Sequence, residues 1–182
     1  TANILTPLHA PGIDRLSAIG HTFFLSANMG FVLQNLAQPY QLSLPYIGGR
    51  HGFRNTAVAM GAAFKDASEI ITDTVQQGWQ NGKWMGIADA TITIKRATHL
   101  SQGDRDALTH LIATGRADWT QAAELTKISE GANRSFELSL KMANSLSHYG
   151  EILNRMQTGL AAYRLEMKRS NDVTKAHAYM VQ

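Results

Sequence analysis

The residues of this chain best suited to chemistry lie in the stretch Gly48-Gly49-Arg50-His51-Gly52, with Arg54 just behind it. Ahead of a helix start, backbone N–H groups there could join Arg50, His51 and Arg54 in holding a phosphate or another anion. The spacing is neither G-x-x-x-x-G-K-[ST] nor G-x-G-x-x-G, and no βαβ unit surrounds it. The simpler reading is a turn that joins two helices. Seven histidines, His9, His21, His51, His99, His110, His148 and His177, are scattered along the chain. No two stand at i, i+4, and no carboxylate lies at ligand spacing, so nothing points to a metal site.

Asp66, Glu69 and Asp73 share one helical face. Paired acids can exchange protons with a substrate when a pocket holds them. Here no basic partner or apolar pocket motif accompanies them, and a solvated face is the expectation, as it is for Glu124, Glu130 and Glu137. The chain has no cysteine, which excludes a disulfide scaffold, thiolate zinc and a cysteine nucleophile. No catalytic, cofactor-binding or metal-binding residue is expected, and the chain reads as a non-enzyme. The rival enzyme reading has Arg50, His51 and Arg54 act on a phosphorylated ligand.

Charge narrows the partners. Seventeen basic and fourteen acidic residues give a net +3, spread along the chain. Salt-dependent nucleic-acid binding needs cations gathered on one face. The one cluster, Arg164, Lys168 and Arg169, is expected to complement a helix C-terminus. That leaves only a non-specific DNA contact. Charged residues are 17% of the chain, below the usual figure of about 25%. A weakly charged chain rich in small residues places its surfaces against another subunit, a larger assembly or a membrane.

The elements that would position these residues are helical. The pattern predicts an all-α fold, either a multi-helix bundle or an extended helical array, with long helices near 14–38, 53–80 and 133–168. Residues 1–13 form an extended lead-in broken by Pro7, Pro11 and Gly12, and 14–182 form a single helical module. The neutral, proline-bearing start does not read as a signal peptide. A chain beginning at Thr1 is expected to be a fragment of a longer one.

The first helix is apolar nearly all round, with Phe23, Phe24 and Phe31 as candidate interface residues, but its apolar runs are too short to span a membrane. Pro39 is expected to stop it, leaving Pro39 to Tyr46 extended. Shorter helices are expected at 84–97, 102–114, 119–130 and 172–181. Ser101 and Asp104 form a capping-box-like start, and Gly115 an end. The Thr91-Ile92-Thr93-Ile94 run also carries β-propensity. In the last long helix, Phe136, Leu140, Ala143, Gly150, Leu153, Leu160, Tyr163 and Met167 recur near every 3.6 residues. Leu138, Met142, Ile152 and Met156 widen the stripe, so two sides are expected to be covered. Trp79 and Trp84 bracket the Gly82 turn, either as interface anchors or as core beneath that turn.

Two stretches carry a family resemblance. The first runs from Phe23 through Asn35-Leu36-Ala37-Gln38-Pro39 to Leu44-Pro45-Tyr46-Ile47-Gly48-Gly49-Arg50 and Gly52. The second is Ala132-Asn133-Arg134 followed by Leu160-Ala161-Ala162-Tyr163-Arg164-Leu165. Together they resemble a helical region of the internal virion (ejection) proteins of short-tailed bacteriophages and related large polyvalent phage proteins. There an "N-L-x-Q-P" helix end leads to an "L-P-Y-L-x-G-x-x-G" turn, and a later helix carries "A-A-Y-R-L". The resemblance implies storage in the phage virion interior, ejection ahead of the DNA, and assembly into a conduit across the host envelope. The implied partners are further copies in a homo-oligomer, portal or other ejection proteins, and the host membrane or envelope. The motifs are structural, so no catalytic residue carries over. The rival class is a soluble helical adaptor or secretion-system component that binds a partner helix.

Overall fold

The computed structural model describes residues 29–80, 90–117 and 134–181, and every regular element among them is helical. In chain order they are α1 (Met29–Gln38), a π-helical turn (Pro39–Ser43), α2 (Leu44–His51), α3 (Phe53–Gln80), α4 (Ala90–Arg96), α5 (Gln102–Ala113), α6 (Arg134–Ser170) and α7 (Val173–Met180). The fold is all-α. Two of the expected long helices appear almost where the periodicity puts them, as α3 and α6, and α1 is the described end of the third.

Against expectation, Pro39 to Tyr46 is not extended. The helical path continues through both prolines. Proline lacks the N–H that would bond to the carbonyl four residues back. For Pro39 that carbonyl belongs to Asn35, and here it accepts a hydrogen bond from Asn154 Nδ2 of α6. The turn also widens, so that the Leu44 N–H donates to the Pro39 carbonyl. Such a π-turn absorbs the irregularity without ending the helix.

The Gly48–Gly52 stretch does join two helices, but through a turn shorter than expected. Its first four residues are helical, and only Gly52 breaks the path, at φ 85. That left-handed value suits glycine. Gly52 separates α2 from α3 within one residue, and the Phe53 ring then lies so near Gly48 that a Cβ there would sit 2.8 Å from it.

The core lies between α3, α5, α6 and α7. Met60, Ala63, Ala67 and Ile70 recur at helical spacing on one side of α3 and are almost fully buried. They meet Ile94 of α4, Leu108 and Leu111 of α5, Met156 and Leu160 of α6, and Met180 of α7. The alanines let α3 approach closely. The Thr91-Ile92-Thr93-Ile94 run is helical despite its β-propensity, because Ile94 reaches this core. α5 starts as anticipated, with the Asp104 N–H donating to Ser101 Oγ at 3.1 Å and Ser101 Oγ donating to Asp104 Oδ2 at 2.8 Å. It ends before Gly115, at φ 70.

A second seam runs along α6. Asn35 meets Asn154, Tyr40 Oη accepts from Gln157 Nε2 at 2.9 Å, Ser43 Oγ accepts from Thr158 at 3.4 Å, Ile47 packs with Ala162 and Leu165, and Arg50 reaches Glu166. The partners advance together, so Asn35–Arg50 and Asn154–Glu166 run alongside in the same direction.

The expected lead-in at 1–13, the start of the first long helix and the helix at 119–130 lie outside the described residues, as do Phe23, Phe24 and Trp84. Phe31 and Trp79 fall within α1 and α3, with their side chains outside the described part.

Candidate functional site

The far end of this seam gathers the residues with the most chemical potential. Glu166 sits one turn before the end of α6, with its side chain 1% exposed. A carboxylate so buried is costly unless paired. Arg50 Nη2 donates to its Oε1 at 3.1 Å. His51 Nε2 stands 3.4 Å from Oε2, and Arg169 Nε is also 3.4 Å from it. Neither His51 Nε2 nor Glu166 Oε2 completes a hydrogen bond, so those two contacts are electrostatic, with poor bonding geometry.

Local structure explains the convergence. Gly52 ends α2 so that Arg50 and His51 occupy its last turn, and Arg169 occupies the last turn of α6. Cations there are favoured by the helix dipole. Asn171, left-handed at φ 51, then reverses the chain, and Asp172 caps α7 by accepting the Lys175 N–H at 3.1 Å. α7 thereby returns Tyr179 to the junction. The Arg50 guanidinium lies 4.5 Å from the Tyr179 ring centre, a cation–π contact. His51 meets the same ring edge-on at 5.3 Å.

Burial sets the protonation states here. It lowers the His51 pKa below the ordinary histidine value, although Glu166 pulls the other way. It raises the Tyr179 pKa, so the phenol stays protonated. The Tyr179 hydroxyl is buried without a hydrogen-bond partner.

Two open clefts flank the junction. One, of about 580 Å³, is lined by Arg50, Glu166, Arg169, Ser170, Lys175, Ala178 and Tyr179. The other, of about 270 Å³, is lined by His51, Asn55, Leu165 and Lys168, and shares Arg50 and Arg169 as a wall. A third groove, of about 570 Å³, lies against α6 beside Asn35, Leu42, Arg116, Asn154 and Arg155.

A second charged cluster ties α3, α5 and α6 together. Arg164 Nη2 lies 2.6 Å from Asp66 Oδ2, and its Nε and Nη2 reach both oxygens of Asp104 at 3.0 and 3.1 Å. Burial works against the Arg164 charge, but these two carboxylates outweigh it and hold the guanidinium ionised. Nearby, His110 and His177 stack at 4.8 Å with their planes 7° apart.

Several expectations change. Arg50 and His51 are turned toward a carboxylate of their own chain. Arg54 is exposed and lies outside the lining of both junction clefts. Asp66 does not stand on a solvated face, and Glu69 has Lys65 at 4.0 Å and His99 at 3.5 Å. Within the basic cluster, Arg164 and Arg169 point at carboxylates of the chain. The two basic groups, around Arg50 and around Arg169, prove to be neighbours. Glu166 and Tyr179 were not singled out by sequence, and Asp104 was named only for its place in the helix start with Ser101. A glutamate between Leu165 and Met167 in a doubly covered helix was the available signal for Glu166.

Among the described residues, no group of three or more histidine, cysteine or acidic side chains could hold a metal ion, and no helix is long and apolar enough to cross a membrane. No protein-family model, curated protein or solved structure matches the chain.

Proposed function

We propose that this chain is a structural segment of a bacteriophage internal virion (ejection) protein. In this reading it assembles with further copies and with portal or other ejection proteins into a conduit for genome delivery across the host envelope. The observation that carries the reading is the seam along α6. The first stretch that bears the family resemblance, ending at Gly52, meets the Leu160–Leu165 part of the second in space. Ile47 packs with Ala162 and Leu165. Pro39, the last residue of the Asn35–Pro39 motif, leaves the Asn35 carbonyl for Asn154. Motifs of this kind are expected where sequence features preserve packing between segments distant in the chain.

The exposed apolar side chains fit an assembly role. Tyr46, Phe53 and Val58 are all well exposed, and exposed apolar surface of this sort serves protein contacts. The same residues favour a second reading, a helical adaptor that binds a partner helix.

Mass spectrometry of purified phage particles, before and after triggered DNA release, separates the two. The first reading expects peptides of this sequence in full particles, within a much longer chain, and their loss on release. Absence from virions sinks it and leaves the adaptor.

A further inference from the structure

We propose that the cleft walled by Arg50, Arg169 and Lys175 binds a phosphate group. The fold brings together basic residues from the ends of α2 and α6 and the start of α7. Arg50, Arg169 and Lys175 line the cleft together with Glu166, and Lys175 also pairs with Asp172 at 3.4 Å. Three cations against two carboxylates leave an excess of one positive charge, before Lys168 of the adjoining cleft is counted.

The accessibility of the groups has the right polarity. Glu166 lines the cleft with a side chain only 1% exposed, whereas Arg50, Arg169 and Lys175 are 41%, 54% and 70% exposed. Glu166 therefore serves as an internal tether that holds the cations in place. Arg50 is fixed on two sides, by Glu166 through one nitrogen and by the Tyr179 ring. A guanidinium has five N–H donors in a planar fork, so most of those on Arg50 stay free for an oxyanion. Such preorganisation reduces the entropy lost on binding. Tyr179 lines the same cleft with a buried hydroxyl that lacks an acceptor. The volume of about 580 Å³ admits a phosphate together with part of whatever carries it.

The shared chemistry is the phosphate itself, which a free small anion or a nucleic-acid backbone could each present. Calorimetric titration of the full chain at low salt, with pyrophosphate and separately with a short DNA duplex, tests the site and its source. The expected result is binding that weakens as salt rises. It should also fall about tenfold in Arg169→Gln and in Lys175→Gln. Both side chains are exposed, so neither change threatens the core. Lys65→Gln, an exposed cation on α3, should leave binding unchanged. Binding of pyrophosphate alone marks a small phosphorylated ligand, and DNA binding displaced by pyrophosphate marks a phosphodiester. No binding of either probe overturns the proposal, as does binding that both cleft variants retain in full. The site stands or falls independently of whether the chain belongs to a virion.

Discussion

Arg50 and Glu166 are 116 positions apart and meet through one hydrogen bond of 3.1 Å. That contact closes the seam along α6 at the last turn of α2. Replacing Glu166 by Gln removes the buried charge while keeping the shape. It leaves Arg50, His51 and Arg169 clustered without their counterion. The expected loss is about 1–2 kcal/mol of unfolding free energy, less than for a fully buried pair because both arginines can reach water. Urea unfolding measures it, and a change below about 0.3 kcal/mol, the usual size of exposed pairs, would mean the pair is ornamental.

Asn154 and Pro39 offer a sharper test. Asn154→Ala strands the Asn35 carbonyl and is expected to cost about 1–2 kcal/mol. Pro39→Ala supplies a backbone N–H that can take that carbonyl within the helix. In the Asn154→Ala background, Pro39→Ala should therefore recover part of the loss. A double-mutant cycle reads this coupling directly. Strict additivity would show that the carbonyl finds water instead.

Stability should fall on mild acidification. Burial, with His110 stacked at 4.8 Å, lowers the folded pKa of His177 below its ordinary 6.5. Asp106 opposes the shift, and the Tyr163 ring lies 5.4 Å away. A histidine lowered in the folded state binds protons more readily when unfolded. Between about pH 6.5 and 5 the unfolded chain therefore gains protons first, and stability drops as pH drops. His51 is lowered as well and acts in the same window. His177→Gln should flatten the profile in part. Thermal melts across this range check it, and an unchanged slope in the variant would assign the effect elsewhere.

Two glycines should respond in opposite directions. A Cβ at Gly159 would sit 2.9 Å from Leu111 Cδ2 and 3.3 Å from Met180 Cγ. Gly159→Ala is expected to cost about 1–2 kcal/mol through overpacking. At Gly61, inside α3, a Cβ meets nothing within 4 Å. Gly61→Ala should stabilise by about 0.5–1 kcal/mol through helix propensity. Chemical denaturation of both, side by side, distinguishes sterics from propensity.

Much of the fold was legible because it depends on local signals. The spacing of apolar residues in α3 and α6, the Ser101 cap and the Gly115 stop are all set within a turn or two of chain. The path through Pro39 was not, because its resolution is tertiary: a side chain 119 positions away takes the carbonyl that proline leaves free. The candidate site divided in the same way. Arg50 and His51 could be named from their neighbours. Their true counterpart, Glu166, is recognisable only when α2 lies along α6. The stacked pair His110 and His177 shares no periodic spacing either, and only the return of α7 brings the rings together.

That return depends on a joint of two residues, Asn171 and Asp172, between α6 and α7. An α-helix turns by about 100° per residue. Inserting one residue into the first turn of α7 would rotate the residues beyond it by that angle about the helix axis. Ala176, Tyr179 and Met180, now on the core side, would swing away together, and Tyr179 would leave Arg50. The number of residues between the Asp172 cap and Ala176 thus acts as a phase setting: it determines the composition of the junction as firmly as any side chain in it. Length changes there should be among the least tolerated in the described part of the chain.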